Sequence, residues 1–275
     1  MVAPTINIET TEGRAPPPPI DAQSPSPPGS NGQLIIYPES DGNRMADNTK
    51  QFEYIVTIQG GIAALFADRD DVFVAGDLLW YPVEGNNRLR IAPDVLVAFG
   101  RPRGHRGSYL QWREASIPPH VVFEVLSPGN TAAEMESKLD FYQYYGVEEY
   151  YLYDPDRGRL LGWLRGGNRL EKIPAMQQWV SPRLGIRFTL VGADLVIYRP
   201  DGARFETFIE SWQRAEAATA RAAAATEQAR AATEQAAAER ERAEAATERA
   251  EIEYVRRERL LIRLRELGID PASLE

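Results

Sequence analysis

Lys138 lies on the apolar face of a helical segment, where an ammonium group needs a chemical explanation. At helical spacing its neighbours on that face are hydrophobic or aromatic: Met135, Leu139, Phe141, Tyr142 and Tyr145. A lysine that points into a hydrophobic core must either lose its charge or be paired with carboxylates. The sequence therefore predicts acidic partners for Lys138 elsewhere in the fold.

Two carboxylates upstream have a similar setting. Asp94 and Glu124 each interrupt a strand-like run of aliphatic residues. Two acids and a lysine at one buried point are the minimum set for metal-dependent hydrolysis of a phosphodiester. Simpler roles are open at this stage. Asp94 could cap a strand end, and Lys138 could pair with Glu134 one turn back or extend its amine to solvent.

Composition limits the metals and partners that such a site would take. The chain has 275 residues, no cysteine and two histidines, which argues against thiolate chemistry and a histidine-rich zinc site. Oxygen ligands favour Mg²⁺ or Mn²⁺. The formal net charge of -9 argues against a surface covered in positive charge for non-specific binding of nucleic acid, although a local basic groove is compatible with it. No secretory signal or membrane span is evident, so a cytoplasmic protein without membrane contact is predicted.

The pattern of hydrophobic residues predicts one α/β unit with a mixed sheet. One helix is predicted from Met45 to Phe66, broken or kinked at Gly60-Gly61, and a second from Thr131 to Tyr145 with its first residue as N-cap. Strands are predicted at Val72–Tyr81, Arg90–Phe99, His120–Ser127, Glu149–Tyr153, Arg159–Arg165, Arg169–Ile173 and Gly185–Tyr198. The strands that carry Asp94 and Glu124 are apolar on both faces, which is typical of central strands covered by helices.

The segments on either side of this α/β domain, residues 34–210, have a different composition. Residues 1–33 are rich in Pro, Ser and Gly and are predicted to be disordered, because they contain too little apolar surface for a core. Residues 211–275 are predicted to form a long helix. Alanine recurs there every seven residues, at Ala229, Ala236, Ala243 and Ala250. Such a seam favours a coiled coil and a homodimer. A solvated single helix is the alternative, since alanine buries little area.

The order and spacing of several motifs resemble a known family. The motifs are Pro93-Asp94-Val95, Phe123-Glu124-Val125-Leu126-Ser127-Pro128, Lys138 with Tyr142, Gly146-Val147-Glu148-Glu149-Tyr150-Tyr151 and Asp154-Pro155. Over roughly residues 35 to 200 the chain resembles the Uma-two family of restriction-type endonucleases, within the PD-(D/E)XK superfamily. The resemblance implies a restriction-endonuclease-like fold, a mixed sheet flanked by helices. It also implies metal-dependent endonuclease action on nucleic acid, with DNA as the expected substrate.

On this basis particular residues are expected to form the site. The expected ligands of one or two Mg²⁺ or Mn²⁺ ions are Asp94, Glu124, the main-chain carbonyl of Val125 and, as an additional candidate, Asp77. An ordinary aspartate at a strand end is the alternative for Asp77. Lys138 would orient the attacking water or stabilise the transition state. In the wider superfamily the lysine stands two residues after the glutamate, where this chain has Leu126. The resemblance therefore implies that Lys138 reaches the same point from the following helix.

A second function is open on the sequence alone: a catalytically inactive nuclease-fold protein that associates through its coiled coil. The negative net charge and the displaced lysine favour it, whereas the acidic pair and the buried lysine favour the endonuclease. The basic loop at residues 101–107 could bind phosphates or could be an ordinary solvated loop. The relative positions of Asp94, Glu124 and Lys138 distinguish the two functions.

Overall fold

A computed structural model describes residues 35–40, 42 and 45–267 of the chain. The segment predicted to be disordered, residues 1–33, lies outside the described residues. The chain divides into two compact units, with the boundary between Ile209 and Glu210.

The larger unit is built around a six-stranded sheet with helices on its faces. Its helices are α1 (Thr49–Leu65) and α2 (Ala132–Tyr144). Its strands are β1 (Val72–Gly76), β2 (Trp80–Tyr81), β3 (Val95–Phe99), β4 (Tyr109–Leu110), β5 (Val121–Val125), β6 (Glu149–Asp154), β7 (Arg159–Gly166), β8 (Arg169–Lys172), β9 (Arg187–Val191) and β10 (Asp194–Tyr198). The main sheet has the order β1-β3-β5-β6-β7-β8. Strands β5 and β6 run parallel, and the other neighbours are antiparallel. The predicted mixed α/β architecture is confirmed.

Side-chain alternation along the central strands divides the core into two layers. On β5, Val121, Phe123 and Val125 pack in the layer that contains the buried residues of α1. Val122, between them, packs in the layer that contains the buried residues of α2. All five residues of β5 are buried. Because successive side chains point to opposite faces, Glu124 is directed toward α2.

Helix α1 continues through Gly60-Gly61, so the predicted break is wrong. The helix begins at Thr49, and the side chain of Asn48 caps it by accepting a hydrogen bond from the backbone N–H of Gln51. Gly61 permits close packing, since a Cβ at this position would lie 2.2 Å from the ring of Phe205. Tertiary packing therefore outweighs the modest helix-breaking tendency of glycine.

Two predicted strands are divided by turns. The segment predicted as one strand from Val72 to Tyr81 is interrupted at Asp77, which has a φ of 49°. The segment from Gly185 to Tyr198 forms the antiparallel pair β9 and β10, with Gly192 at a φ of 63° in the connecting turn. Strand β3 begins only at Val95, so Asp94 belongs to the turn before it.

Helix α2 begins and ends as the sequence predicts. The side chain of Thr131 accepts a hydrogen bond from the backbone N–H of Glu134, which confirms the predicted N-cap. Gly146 follows the helix with a φ of 92°, a conformation that favours glycine at the end of a helix. Between these ends, Phe141 and Tyr142 are the buried residues of α2.

The described part of the smaller unit lies within the helix α3 (Phe208–Glu266), which has 59 residues and no buried residue. Its composition of Ala, Glu and Arg accounts for the helix through intrinsic propensity. Association through the alanine seam stays a prediction.

Within residues 35–40, 42 and 45–267, no helix combines the length and the apolar character needed to cross a membrane. The predicted cytoplasmic location stays a prediction.

Candidate active site

The side chain of Lys138 crosses from α2 to the sheet and contacts Glu124. Its Nζ lies 2.9 Å from Glu124 Oε2, and the lysine side chain is only 16% exposed. Glu134, the alternative partner one turn back, lies 3.9 Å away, beyond hydrogen-bonding distance. The lysine that follows the glutamate by fourteen positions in sequence thus reaches it in space.

The ammonium group of Lys138 stays charged in this setting. Burial alone would lower its pKa, but the charge of Glu124, the hydrogen bond to it and the charge of Asp94 raise the pKa above the ordinary value. A buried ammonium group is tolerable only with such partners. The site therefore contains a fixed positive charge beside two acids.

Glu124 is held by two donors from α2. It is 3% exposed, and it accepts hydrogen bonds from Lys138 at Oε2 and from the hydroxyl of Tyr142 at Oε1. Burial and the neighbouring charge of Glu124 raise the pKa of Tyr142 well above its ordinary value, so the phenol remains a donor. The orientation of the carboxylate is consequently fixed by the fold.

Asp94 lies beside Glu124 at the start of β3. Its Oδ2 accepts a hydrogen bond of 2.6 Å from the backbone N–H of Val125, the last residue of β5, so Asp94 also caps the end of a strand. Asp94 is only partly buried. Burial and the charge of Glu124 raise its pKa well above the ordinary value, with a smaller contribution from Asp77, against the opposing effects of Val125 and Lys138. Two carboxyl groups, of Asp94 and Glu124, thus share the single positive charge of Lys138.

The carbonyl of Val125 has a partner that the sequence reasoning missed. The amide Nε2 of Gln51 on α1 donates to this oxygen at 2.8 Å, and Gln51 is 6% exposed. A carbonyl oxygen has a second lone pair, so this contact leaves one position for another ligand. A signal was present in the sequence, because Gln51 lies one turn before Ile55 on the buried face of α1.

Asp77 lies near Asp94 but does not add a third carboxylate to the acidic pair. Its backbone N–H donates to the carbonyl of Asp94 at 3.2 Å, and its charge contributes to the raised pKa of Asp94. In the described part of the chain, no group of three or more acidic or histidine side chains is placed to hold a metal ion. Asp77 therefore does not form a three-carboxylate group with Asp94 and Glu124.

The donor set at Asp94 and Glu124 nevertheless fits a hard divalent cation. Mg²⁺ is commonly bound by one or two carboxylates while it keeps several waters. Two carboxylates and the carbonyl of Val125 supply oxygen donors of that type. Burial and the charge of Glu124 raise the pKa of Asp94, and a positive charge beside the two carboxylates would offset the repulsion between them.

A groove of about 360 Å³ opens between α2 and strands β6 and β7. Its apolar lining consists mainly of Leu126, Met135, Leu139, Leu152, Leu161 and Trp163. Met135 lies three residues before Lys138 and Leu139 directly after it, and Leu152 is the β6 partner of Glu124. Arg157 and Arg159 lie on the groove as well. Asp94, Glu124 and Lys138 do not line the groove themselves, so the acidic pair is connected to it through these neighbours of Lys138 and Glu124.

The basic loop at residues 101–107 has a structural role. Arg101 and Arg106 both form ion pairs with Glu114, at 2.9 Å and 2.6 Å, and Arg106 also lies over the ring of Phe73. The Nδ1 of His120 accepts a hydrogen bond from the backbone N–H of Phe99. Two of the loop arginines are therefore occupied within the protein, which weakens the hypothesis that this loop binds phosphates.

Comparison with known proteins gives a family and a distant structural likeness. A solved structure from Anabaena variabilis, titled a putative nuclease belonging to DUF820, is 16% identical with a TM-score of 0.39, over 55% of this chain and 78% of that chain. A search of curated proteins gives no match. The family model of Uma2, described as "Putative restriction endonuclease", matches residues 30–195, more than half of the chain. The chain belongs to the Uma2 family.

Proposed function

We propose that this protein is a metal-dependent endonuclease that hydrolyses phosphodiester bonds in DNA. The observation that carries the proposal is the 2.9 Å contact between Lys138 Nζ and Glu124 Oε2 next to Asp94. Structural ion pairs can also be buried. This one, however, adjoins a second acid, Asp94, whose pKa is raised and which is only partly buried. Membership of the Uma2 family supports a nuclease.

The proposed cofactor is Mg²⁺ or Mn²⁺, held by Asp94, Glu124 and the carbonyl of Val125. When bound, such an ion polarises a phosphoryl oxygen and lowers the pKa of a coordinated water. Because burial and the charge of Glu124 raise the pKa of Asp94, a bound ion competes with a proton at this carboxylate. Gln51 holds the carbonyl of Val125 in place from α1.

Lys138 has donors to spare for the reaction. An ammonium group has three N–H donors, and one of them is directed to Glu124. Another is available to a water molecule or to a phosphate oxygen beside the acids. Because this charge is fixed before substrate arrives, it stabilises negative charge in the transition state without reorganisation.

The groove between α2 and strands β6 and β7 is the proposed path of the nucleic acid. The Arg157 side chain is 79% exposed although it pairs with Asp154 at 3.0 Å, so it is accessible to a phosphate. Phosphate contacts by arginine would position the strand without reading its sequence. An acidic protein can bind nucleic acid in this way if the basic groups are local.

We also propose that α3 associates two copies into a homodimer. Near its end Leu260 and Leu267 are 59% and 64% exposed, and they lie three positions after the heptad position of the alanines, where the second apolar position of a coiled coil falls. The molar mass of the full chain in solution, by light scattering, tests this. A dimer that becomes a monomer on Leu260→Glu with Leu264→Glu is expected. A monomeric wild type contradicts the proposal.

The central experiment is cleavage of plasmid and oligonucleotide DNA with Mg²⁺ or Mn²⁺. Wild type is compared with Asp94→Ala, Glu124→Ala and Lys138→Ala, each checked for folding by circular dichroism. Cleavage by wild type that all three variants lose supports the proposal. Equal residual cleavage in all four proteins indicates a contaminant, and folded but inactive wild type favours the alternative of an inactive interaction protein.

A further inference from the structure

Tyr150 on β6 has a buried hydroxyl group that no described residue pairs with. The residue is 0% exposed, and its oxygen has no hydrogen-bond partner in the described part of the chain. Desolvating a hydroxyl group without a partner is unfavourable, and such groups are uncommon in folded proteins. The unpaired donor therefore needs an explanation.

The position of Tyr150 connects it with the acidic pair. Tyr150 pairs with Val122 in the parallel β5–β6 ladder, and its side chain lies in the core layer on the α2 side, toward which Glu124 is also directed. Its ring lies 5.0 Å from the ring of Tyr142, whose hydroxyl donates to Glu124. It also stacks on Trp163, with ring centroids 5.0 Å apart. Two aromatic contacts hold the ring in place.

Electrostatics support the same placement. Burial raises the pKa of Tyr150 well above its ordinary value, and the charges of Glu124, Asp94 and Glu134 raise it further. The hydroxyl therefore keeps its proton and lies within the field of the acids that form the site. Glu124 accepts hydrogen bonds from Lys138 and Tyr142, but the Tyr150 hydroxyl has no hydrogen-bond partner among the described residues, so Glu124 does not pair with it in this arrangement.

We propose that Tyr150 is a positioning residue whose hydroxyl donates a hydrogen bond to an oxygen atom bound at Asp94 and Glu124. That oxygen belongs either to the attacking water or to the scissile phosphate, and both offer the same acceptor chemistry. This inference rests on the proposed nuclease function and deepens it. The desolvation cost of the free hydroxyl is offset when the site is occupied.

A matched control is available in Tyr145. Its hydroxyl is also buried and without a partner among the described residues. Its pKa is raised by burial and by Tyr144, with no contribution from Asp94 or Glu124. Tyr145→Phe and Tyr150→Phe therefore remove the same group from two similar settings, of which only one adjoins the acids.

The experiment compares wild type, Tyr150→Phe and Tyr145→Phe in three measurements: the thermal midpoint, cleavage of an oligonucleotide duplex with Mg²⁺, and binding of that duplex with Ca²⁺ in place of Mg²⁺. Tyr150→Phe is expected to unfold at the wild-type midpoint or above it, and to cleave about tenfold more slowly or worse. Tyr145→Phe is expected to cleave at the wild-type rate. Weaker duplex binding by Tyr150→Phe assigns the hydrogen bond to the phosphate, and a lower kcat with unchanged binding assigns it to the water.

Two results overturn the inference while the nuclease stands. One is wild-type cleavage and binding by Tyr150→Phe. The other is a slower rate that follows only from a lowered thermal midpoint, which would make the role of Tyr150 structural. If folded wild type neither cleaves nor binds the duplex, the proposed function itself fails and the role of Tyr150 fails with it.

Discussion

Two buried glutamates on neighbouring strands, Glu124 on β5 and Glu149 on β6, have different surroundings. Glu149 is 0% exposed, and it accepts hydrogen bonds from the hydroxyl groups of Ser181 and Tyr151 and from the backbone N–H of Arg183. These donors are all neutral. Glu124 is bound by the ammonium group of Lys138 and adjoins another acid.

The comparison shows that burial of an acid does not by itself identify a functional site. Burial raises the pKa of Glu149 despite its three hydrogen bonds, yet its oxygens are satisfied within the fold. Neither glutamate lines the groove, but Leu126 and Leu152, which neighbour Glu124 along β5 and across the β5–β6 ladder, do. At Glu124 a fixed cation, a second carboxylate and an adjacent groove coincide, and this combination distinguishes a candidate site from a structural acid.

The largest expected difference is in cleavage by Glu124→Gln and Glu149→Gln. Loss of the charge at Glu124 should slow cleavage on the order of 1,000-fold, equal to about 4 kcal/mol of transition-state stabilisation. Glu149→Gln should retain the wild-type rate per folded molecule. It should lose about 1–3 kcal/mol of stability, because the new NH₂ group faces donors. Plasmid cleavage measures the rates, and urea unfolding measures the stabilities. Equal cleavage by the two variants would contradict the distinction between a functional Glu124 and a structural Glu149.

The ion pair at Glu124 should appear in a double-mutant cycle. Lys138→Met leaves a buried carboxylate without its cation and should cost about 3 kcal/mol of unfolding free energy. The double variant Lys138→Met with Glu124→Gln should recover most of that loss, since neither charge remains. Urea denaturation of the four proteins gives the coupling energy. Additive effects of the two substitutions would show that the contact is not energetically coupled.

Asp94→Asn should change the pH dependence of stability. The pKa of Asp94 in the folded protein lies above its ordinary value of 3.8, so the folded state binds the proton more tightly than the unfolded state. Its contribution to stability is therefore complete below pH 3.8 and is lost as the pH rises through the folded pKa. Without divalent cation, Asp94→Asn should be more stable than wild type at neutral pH, on the order of 1 kcal/mol, with no difference at low pH.

Adding a divalent cation should make wild type more stable than Asp94→Asn at neutral pH. A cation that binds only the folded wild type stabilises it by about 2.7 kcal/mol at 100 times its Kd, and Asp94→Asn should gain much less. Thermal unfolding with and without Mg²⁺, between pH 3 and pH 8, measures both effects. Equal stabilisation of the two proteins by Mg²⁺ would place the cation elsewhere.

The smallest effect is expected at the groove. Arg157→Ala should raise KM about threefold. It should also reduce the slope of log affinity against log salt concentration by about one, because one phosphate contact is lost. Arg69→Ala is the control, because Arg69 forms a similar exposed ion pair with Asp71 and does not line the groove. Binding by fluorescence anisotropy at several salt concentrations measures the slope. Equal slopes for the two variants would exclude Arg157 from the substrate path.

Much of the fold followed from local patterns in the sequence. The N-cap Thr131 and the terminal Gly146 placed α2 correctly, because the signals that begin and end a helix are local. The turn at Asp77 and the hairpin at Gly192 were missed, although Gly76-Asp77 and Gly192-Ala193-Asp194 are turn signals within the two runs. The break predicted at Gly60-Gly61 was wrong because packing against Phe205 requires a small residue there.

The sequence by itself determined which residues needed partners. An ammonium group among aromatic residues and two acids in aliphatic runs are costly wherever they are buried, and this holds before any fold is known. Only the tertiary structure decided the pairing. It brought Lys138 to Glu124 across fourteen positions, placed Gln51 on the carbonyl of Val125 and enclosed Glu149 among neutral donors. Such contacts depend on strand register and helix packing, which bring together residues that local sequence patterns do not connect.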